Sequence, residues 1–268
     1  MPNVKYAWVL AMALLAPNAR AQTTDHLRNQ LEGVSVTERL GASVPRDVVF
    51  SDERGNPATV SATANRPLLL TLNYVHCKML CSLQLAGLAK ALKTLRLQAG
   101  VDFDLVTLSI DPKDTKVQAL RMKQKYVGQA GATENLERGW RFMVGSEANV
   151  RAIADAVGFH YRFDPESSDY RHQATLIVIG TDGRVSSYLH GIEYDELQLQ
   201  TAIERASRAE VSTAKNGIVG VLMNCFRYDP SKKAPLGLVV MRAGGVVVIL
   251  FLAGLFGANL LRGRKAQS

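Results

Sequence analysis

The feature that most restricts the fold is a pair of nearly continuous apolar segments, at residues 68–74 and 103–110. Such segments, without polar alternation, are typical of strands that are covered on both faces by helices. Leucines recur at helical spacing in residues 82–98, and residues 115–126 also have a helical pattern. Because strands alternate with helices along the chain, the sequence predicts an α/β layer fold.

The second half of the chain continues this alternation and then changes to a hairpin. The dipeptide Asp182-Gly183 is typical of a tight turn between two antiparallel strands. The predicted elements are a strand at 140–144, a helix from Ser146, strands at 174–179 and 185–189, and a final helix at 194–205. Together they predict one folded domain at residues 45–210, with an N-terminal arm at 22–44 before it and a linker at 211–242 after it.

The two ends of the chain have the composition of membrane-targeting segments. Residues 1–21 combine an early lysine, an apolar stretch and small residues before Gln22, which is the pattern of a cleaved secretory signal peptide. Residues 243–261 carry no charged side chain and are long enough to span a bilayer as a helix. We therefore expect a C-terminal transmembrane helix in the inner membrane, a cytoplasmic tail at 262–268, and a folded domain that faces the periplasm.

The net charge of +8 does not indicate a nucleic-acid-binding protein. The excess of lysine and arginine is confined to the two ends, and the residues between them are balanced in charge. A nucleic-acid-binding domain would carry a basic patch within its fold. The basic residues near the C-terminus are instead typical of the flanks of a membrane span.

Two of the three cysteines, Cys77 and Cys81, stand at the predicted start of a helix, directly after the first apolar strand. The helix N-terminus favours a thiolate over a thiol. A spacing of i, i+4 places both sulfurs on one helical face, where they could share a metal ion or form a disulfide. The alternative is a pair of buried structural thiols or an inert disulfide.

A metal would need a further ligand, and the chain has five histidines, His26, His76, His160, His172 and His190. Soft sulfur ligands select Cu(I), zinc or iron–sulfur clusters, and imidazole suits copper and zinc. His172 precedes the strand at 174–179 within a polar segment, and a loop there could bring its ring over the cysteines. The alternative is a surface histidine, while His76 could only tune the pKa of its neighbour Cys77.

Two further segments could contribute to a site. Residues 111–114 follow the second apolar strand and should reach the same sheet edge as the cysteines, where ligands gather in α/β folds. The alternative is that Asp114 caps the next helix. Cys225 lies shortly before the predicted span, where it could be a passive residue, a partner-facing thiol, a lipidated thiol or a second copper ligand.

With these residues taken together, the chain resembles the SCO/SenC family of copper-handling proteins, in a bacterial subgroup with a C-terminal membrane anchor. The resemblance implies a thioredoxin-like three-layer fold with a central mixed sheet. It also implies that Cys77, Cys81 and His172 bind copper, as Cu(I) or Cu(II). The matching segments are Cys-x-x-x-Cys after an apolar strand, residues 108–115, residues 158–164, His172 and Asp182-Gly183-Arg184.

The implied role is delivery of copper to the binuclear copper centre of cytochrome c oxidase, or reduction of that centre's cysteines. The partner would be the oxidase copper subunit or another copper or thiol protein, which favours a metallochaperone over an enzyme. Lys78 stands where the family usually has proline, and its cation should lower the pKa of the thiols. The alternatives are a thiol–disulfide oxidoreductase or redox sensor, in which Cys77 attacks and Cys81 resolves, and a peroxidase-like enzyme.

Overall fold

The structure, a computed structural model, describes residues 33–61, 66–77 and 79–212. The predicted signal peptide, residues 22–32 of the arm, most of the linker, the predicted transmembrane span, Lys78 and Cys225 lie outside these residues. Among the helices that are described, none has both the length and the apolar character needed to cross a membrane.

Eleven strands and five helices follow one another in the described residues. The first half contains β1 (Ser35–Val36), β2 (Val49–Ser51), β3 (Pro57–Thr59), β4 (Leu68–Asn73), α1 (Leu80–Thr94), β5 (Asp104–Ser109) and α2 (Lys116–Gln129). The second half contains α3 (Glu134–Gly139), β6 (Trp140–Met143), α4 (Glu147–Ala156), β7 (Phe159–His160), β8 (Arg162–Asp164), β9 (Asp169–Arg171), β10 (Thr175–Ile179), β11 (Val185–His190) and α5 (Glu196–Ser207).

The central sheet has five strands in the order β11-β10-β4-β5-β6. Strands β4, β5 and β6 are parallel, whereas β10 runs antiparallel to both β4 and β11. Every residue of β4, β5 and β10 is buried, which confirms that these strands are covered on both faces. The expected thioredoxin-like arrangement with a central mixed sheet is therefore confirmed.

Side chains that alternate along the strands feed two separate cores. Leu69 packs in one core with Leu85 and Leu88 of α1, together with residues of α2 and α5. Leu70 packs in the other core with Val150 and Ile153 of α4. Because the side chains of a strand point alternately to its two faces, helices are needed on both sides of the sheet. The fold is thus three layers deep.

A buried ion pair fastens the β2–β3 hairpin to the main body. Lys123 Nζ of α2 lies 2.5 Å from Glu53 Oε1, and both side chains are almost completely buried. The second carboxylate oxygen, Oε2, accepts a hydrogen bond from the amide of Phe142 at 3.0 Å. A charge buried in this way is tolerated because it is both paired and hydrogen-bonded. Glu53 therefore connects the hairpin to α2 and β6.

The first helix begins and ends earlier than the sequence pattern indicates. The leucine spacing predicts a helix over residues 82–98, but α1 is Leu80–Thr94, and Leu95 already has an extended backbone. Leu95 stays in the core although it is no longer helical, so hydrophobic periodicity continues past the true end. Gly100, at φ +82°, then passes so close to Asn135 that a side chain would lie 2.1 Å from the Asn135 carbonyl oxygen.

The reversed direction of β10 decides which residues meet at the sheet edge. Leu176 of β10 is paired with Thr71 of β4, so the start of β10 lies beside the end of β4. The chain before β10 and the chain after β4 therefore reach the same edge of the sheet. These two stretches carry His172 and Cys77.

Candidate metal centre

Cys77 lies in the loop between β4 and α1, where its sulfur accepts a hydrogen bond from the first turn of the helix. The residue at the N-cap position, Met79, makes no side-chain cap. Instead, the backbone N–H of Cys81 donates to Cys77 Sγ at 3.2 Å. The thiol is half-buried and free, and Cys81 is also free but only 2% exposed. A sulfur in the capping position receives amide hydrogens and the positive end of the helix dipole.

The two thiols have opposite ionisation behaviour. The pKa of Cys77 is far below its ordinary value, chiefly because the Cys81 side chain hydrogen-bonds to it, with help from His172 and the amides of Cys81 and Met79. The pKa of Cys81 is raised by burial and by the adjacent Cys77. The pair therefore holds one negative charge, which resides on Cys77, while Cys81 keeps its proton.

His172 lies directly against the cysteine pair and is only 7% exposed. Its Nε2 atom is 3.2 Å from Cys81 Sγ, and its Nδ1 atom is 3.1 Å from the carbonyl oxygen of Gln173. A carbonyl oxygen can only accept, so Nδ1 carries a hydrogen, and Nε2 is the ring nitrogen that faces the sulfur. Metal-binding histidines are commonly oriented in this way, by a hydrogen bond from the other ring nitrogen.

The short hairpin β8–β9 holds His172 in this position. Asp164 of β8 and Arg171 of β9 form an ion pair between its two strands, with Arg171 Nη2 2.5 Å from Asp164 Oδ2. His172 follows the hairpin directly, and its ring packs against Tyr74 and Phe159, with centroids 5.9 Å and 6.0 Å away. The sequence predicted that a loop before β10 could bring the ring over the cysteines, and His172 does lie in the short loop between β9 and β10. The alternative, a surface histidine, is wrong, because the aromatic rings cover the imidazole.

Tyr74 contacts all three members of this group, although its position in the sequence did not lead us to predict a role for it. Its ring packs edge-on against His172, its hydroxyl hydrogen-bonds to Cys77, and its backbone N–H hydrogen-bonds to Cys81. The hydroxyl oxygen also accepts from the amide of Tyr170 in β9 at 3.3 Å. Burial and the neighbouring Cys77 raise the pKa of Tyr74, so it stays a neutral donor. The sequence feature that could have indicated this role is the position of Tyr74 at the end of an apolar run, two residues before His76.

The ligand atoms of Cys77, Cys81 and His172 all lie within 4.8 Å of one another. In a trigonal site with bonds of about 2.3 Å, the ligand atoms are about 4 Å apart, so small side-chain adjustments would accommodate a metal ion. Among the described residues, this is the one group of three or more histidine, cysteine or acidic side chains with such spacing. Two thiol sulfurs and one imidazole nitrogen form a donor set suited to a soft ion such as Cu(I).

The acidic segment after β5, residues 111–114, hydrogen-bonds to the loop between β4 and α1 that carries Cys77. Asp114 is buried, and its carboxylate accepts from the amide of Val75 at 2.8 Å and from Ser109 Oγ at 2.6 Å. Burial raises its pKa. The alternative prediction that Asp114 caps the next helix is wrong, because Thr115 is the N-cap of α2 and accepts from the amide of Gln118. The segment therefore does reach the predicted sheet edge, where the Asp114 carboxylate holds the loop before Cys77 in place.

The other histidines of the described residues do not join the group. His76 is exposed, and its Nε2 atom is 3.0 Å from Gln118 Nε2. His190 lies 2.8 Å from Glu38 Oε1, and His160 is part of the small β1–β7 pair. His26 lies outside the described residues. Of the four histidines described, His172 is the one that the fold brings to the thiols.

The chain was compared with known protein families and structures. The SCO1/SenC family model matches residues 37–208, which is more than half of the chain. A search of curated proteins found no match. A crystal structure of a protein from Aquifex aeolicus VF5, for which a role in electron transfer has been suggested, is 26% identical with a TM-score of 0.55, and the match covers 66% of this chain and 99% of that one.

Two structures of named Sco proteins also match. A SCO1/SenC family lipoprotein from Bacillus anthracis str. Ames is 19% identical with a TM-score of 0.52, covering 64% of this chain and 98% of that one. Arabidopsis thaliana ScoI, solved with copper bound, is 18% identical with a TM-score of 0.49, covering 63% of this chain and 99% of that one. Since the family model spans the whole central sheet and both stretches that carry Cys77, Cys81 and His172, the chain belongs to the SCO1/SenC family.

Proposed function

We propose that this protein is a copper-binding metallochaperone in which Cys77, Cys81 and His172 hold copper. The observation that carries the proposal is the meeting of two thiol sulfurs and one imidazole nitrogen within 4.8 Å of one another at one sheet edge. Membership of the SCO1/SenC family supports it, because Sco proteins are described as cytochrome c oxidase assembly proteins and some have been solved with copper bound.

The three side chains are prepared for a soft cation in different ways. Cys77 is already a thiolate because of its lowered pKa, and His172 already points its Nε2 atom at the cysteine pair. Cys81 is protonated because burial raises its pKa, so it must lose a proton when copper binds. Copper loading should therefore release protons at neutral pH, and an oxidised Cys77–Cys81 pair should not bind copper.

The acceptor that we propose is the binuclear copper centre of cytochrome c oxidase. Cys77 is the more exposed of the two sulfurs, so an acceptor thiol would reach the copper from its side. We further propose that residues 1–21 direct the domain to the periplasm and that residues 243–261 anchor it in the inner membrane. An anchor in the same membrane as the acceptor would raise the effective concentration of this protein around the acceptor.

The test is a Cu(I) titration of the reduced full-length protein against a chromophoric Cu(I) chelator. The wild-type chain should bind one Cu(I), and His172→Ala should weaken binding by at least about tenfold. His76→Ala is the matched control, because it removes an exposed imidazole next to Cys77 and should leave the affinity unchanged. Equal affinity in His172→Ala and wild type would refute the proposed ligand set.

A thiol–disulfide oxidoreductase is the second candidate, and the opposite pKa shifts of Cys77 and Cys81 favour it. The Cys77 thiolate would attack a substrate disulfide, form a mixed disulfide and release one substrate thiolate. Cys81 would then lose its proton and attack Cys77 Sγ, which closes the protein disulfide and releases the second thiolate. Fast disulfide reduction by a wild-type chain that binds no Cu(I) would establish this function in place of copper binding.

A further inference from the structure

An open groove lies between α2 and the chain that leads from β4 to Cys77. Its volume is about 260 Å³. One wall is the chain just before Cys77, and the other is one face of α2, whose contributing residues recur at helical spacing. We call it the cationic groove, and its lining residues are Val75, His76, Gln118, Arg121, Met122 and Lys125.

The charged side chains of the groove have one sign. Arg121 and Lys125 are both exposed, and none of the lining residues is acidic. Lys125 Nζ lies 4.9 Å from the ring centroid of Tyr126, which keeps the ammonium near the helix surface. The nearby carboxylate of Asp114 is buried and turned to the Val75 amide and Ser109, so it does not face the groove. A concave surface with charges of one sign attracts a partner of the opposite charge.

The position of the groove connects it to the chemistry of Cys77. His76 lines the groove and is bonded to Cys77 in the chain, and its ring hydrogen-bonds to Gln118 across the groove. Val75 and Met122 add apolar surface that an extended polypeptide could cover. A segment lying here would therefore place the residues next to it within reach of the more exposed sulfur of the pair.

We propose that the cationic groove binds an acidic segment of the protein that exchanges thiols or copper with Cys77. This proposal rests on the proposed function, because it names the kind of partner that the same site would serve. An acidic polypeptide fits better than an anionic membrane. Membrane-binding segments use clusters of roughly four to eight basic residues, whereas the lining of the groove supplies two.

The test measures how fast the reduced full-length protein attacks two synthetic peptides. Each peptide contains one cysteine flanked by four glutamates or four lysines and is activated as the mixed disulfide with thionitrobenzoate. When the Cys77 thiolate attacks the peptide sulfur, a protein–peptide disulfide forms and yellow thionitrobenzoate leaves. The same reaction with Cys77→Ser gives the background from other cysteines, which is subtracted.

The wild-type protein should react about tenfold faster with the glutamate peptide at low salt, and the difference should shrink in about 0.5 M salt. Arg121→Glu/Lys125→Glu should abolish or reverse the preference. Lys90→Glu/Lys93→Glu is the matched control, since it reverses two exposed charges on α1 outside the groove and should retain the preference.

Three outcomes would overturn the proposal. The first is an equal rate with both peptides, and the second is a loss of preference in the α1 control as large as in the groove variant. The third is binding to phosphatidylglycerol vesicles that disappears in Arg121→Glu/Lys125→Glu, which would make the groove a membrane contact. The Cu(I) titration of each variant is a separate measurement, so failure of this proposal leaves the copper proposal standing or falling by itself.

Discussion

Replacing Lys123 by methionine should destabilise the domain strongly, although Lys123 lies far from any proposed chemistry. Its Nζ is 2.5 Å from Glu53 Oε1, with 4% and 3% of the two side chains exposed. Lys123→Met would leave the buried carboxylate with the Phe142 amide and with Arg54, which is mostly exposed and has its Nε 4.0 Å from Glu53 Oε1. Removing one member of a buried ion pair costs about 3–5 kcal/mol. For a domain of this size, that corresponds to a fall in the melting temperature of about 6–20 °C.

Thermal and urea denaturation, followed by circular dichroism, would measure this effect. The double variant Glu53→Gln/Lys123→Met removes both charges, so it should recover most of the loss caused by Lys123→Met. Arg138→Ala is the control, because its pair with Glu134 is 63% and 82% exposed and should contribute only about 0.3–0.5 kcal/mol. A loss below about 1 kcal/mol in Lys123→Met, or no recovery in the double variant, would refute the reasoning.

Three further predictions concern the site and the helix that carries it. Because the pKa of Cys77 is lowered, iodoacetamide should alkylate it well below the pH at which free cysteine reacts, while Cys81 stays protonated and unreactive. Peptide mapping after reaction at a series of pH values would show this difference. Alkylation of Cys81 at a lower pH than Cys77 would contradict it. Tyr74→Phe removes a hydroxyl hydrogen-bonded to Cys77, so the midpoint of the same alkylation profile should move to higher pH, and an unchanged midpoint would show that the hydroxyl has no such effect. Gly87→Ala would place a methyl group 1.8 Å from the Ile192 carbonyl oxygen, so α1 must shift and the domain should lose about 1–3 kcal/mol, and a urea midpoint equal to that of wild type would contradict this.

The central elements of the fold can be predicted from the sequence because buried strands need a mostly apolar composition. Strands β4, β5 and β10 are mostly apolar and every residue in them is buried, as expected of strands that lie between two helical layers. The short helix α3 and the hairpin β8–β9 were not predicted. Their residues are largely polar and partly exposed, so contacts with the rest of the fold decide their conformation. Such tertiary effects leave little trace in local patterns.

The candidate site was predictable to different degrees. The spacing of Cys77 and Cys81 after a strand is a local signal, and the structure places both at the mouth of α1 as expected. His172 was chosen from its place before a strand and from the family resemblance. Its burial could not be predicted, because the contact with Cys81 joins residues 91 positions apart. The contribution of Tyr74 depends on that same long-range contact, which explains why it was missed.

The antiparallel pairing of β10 with β4 makes the donor geometry depend on the register of two apolar strands. Leu176 is paired with Thr71 in this register, so His172, before β10, and Cys77, after β4, lie at the same edge of the sheet. A slip of one residue would move the imidazole about 3.4 Å along the sheet and turn the apolar side chains of β10 to the opposite faces. The leucines and isoleucines that prevent this slip therefore also fix the relative positions of the proposed copper ligands. If these residues bind copper as proposed, copper retention would report on correct pairing of the sheet, since a chain with mispaired strands would separate His172 from the thiols.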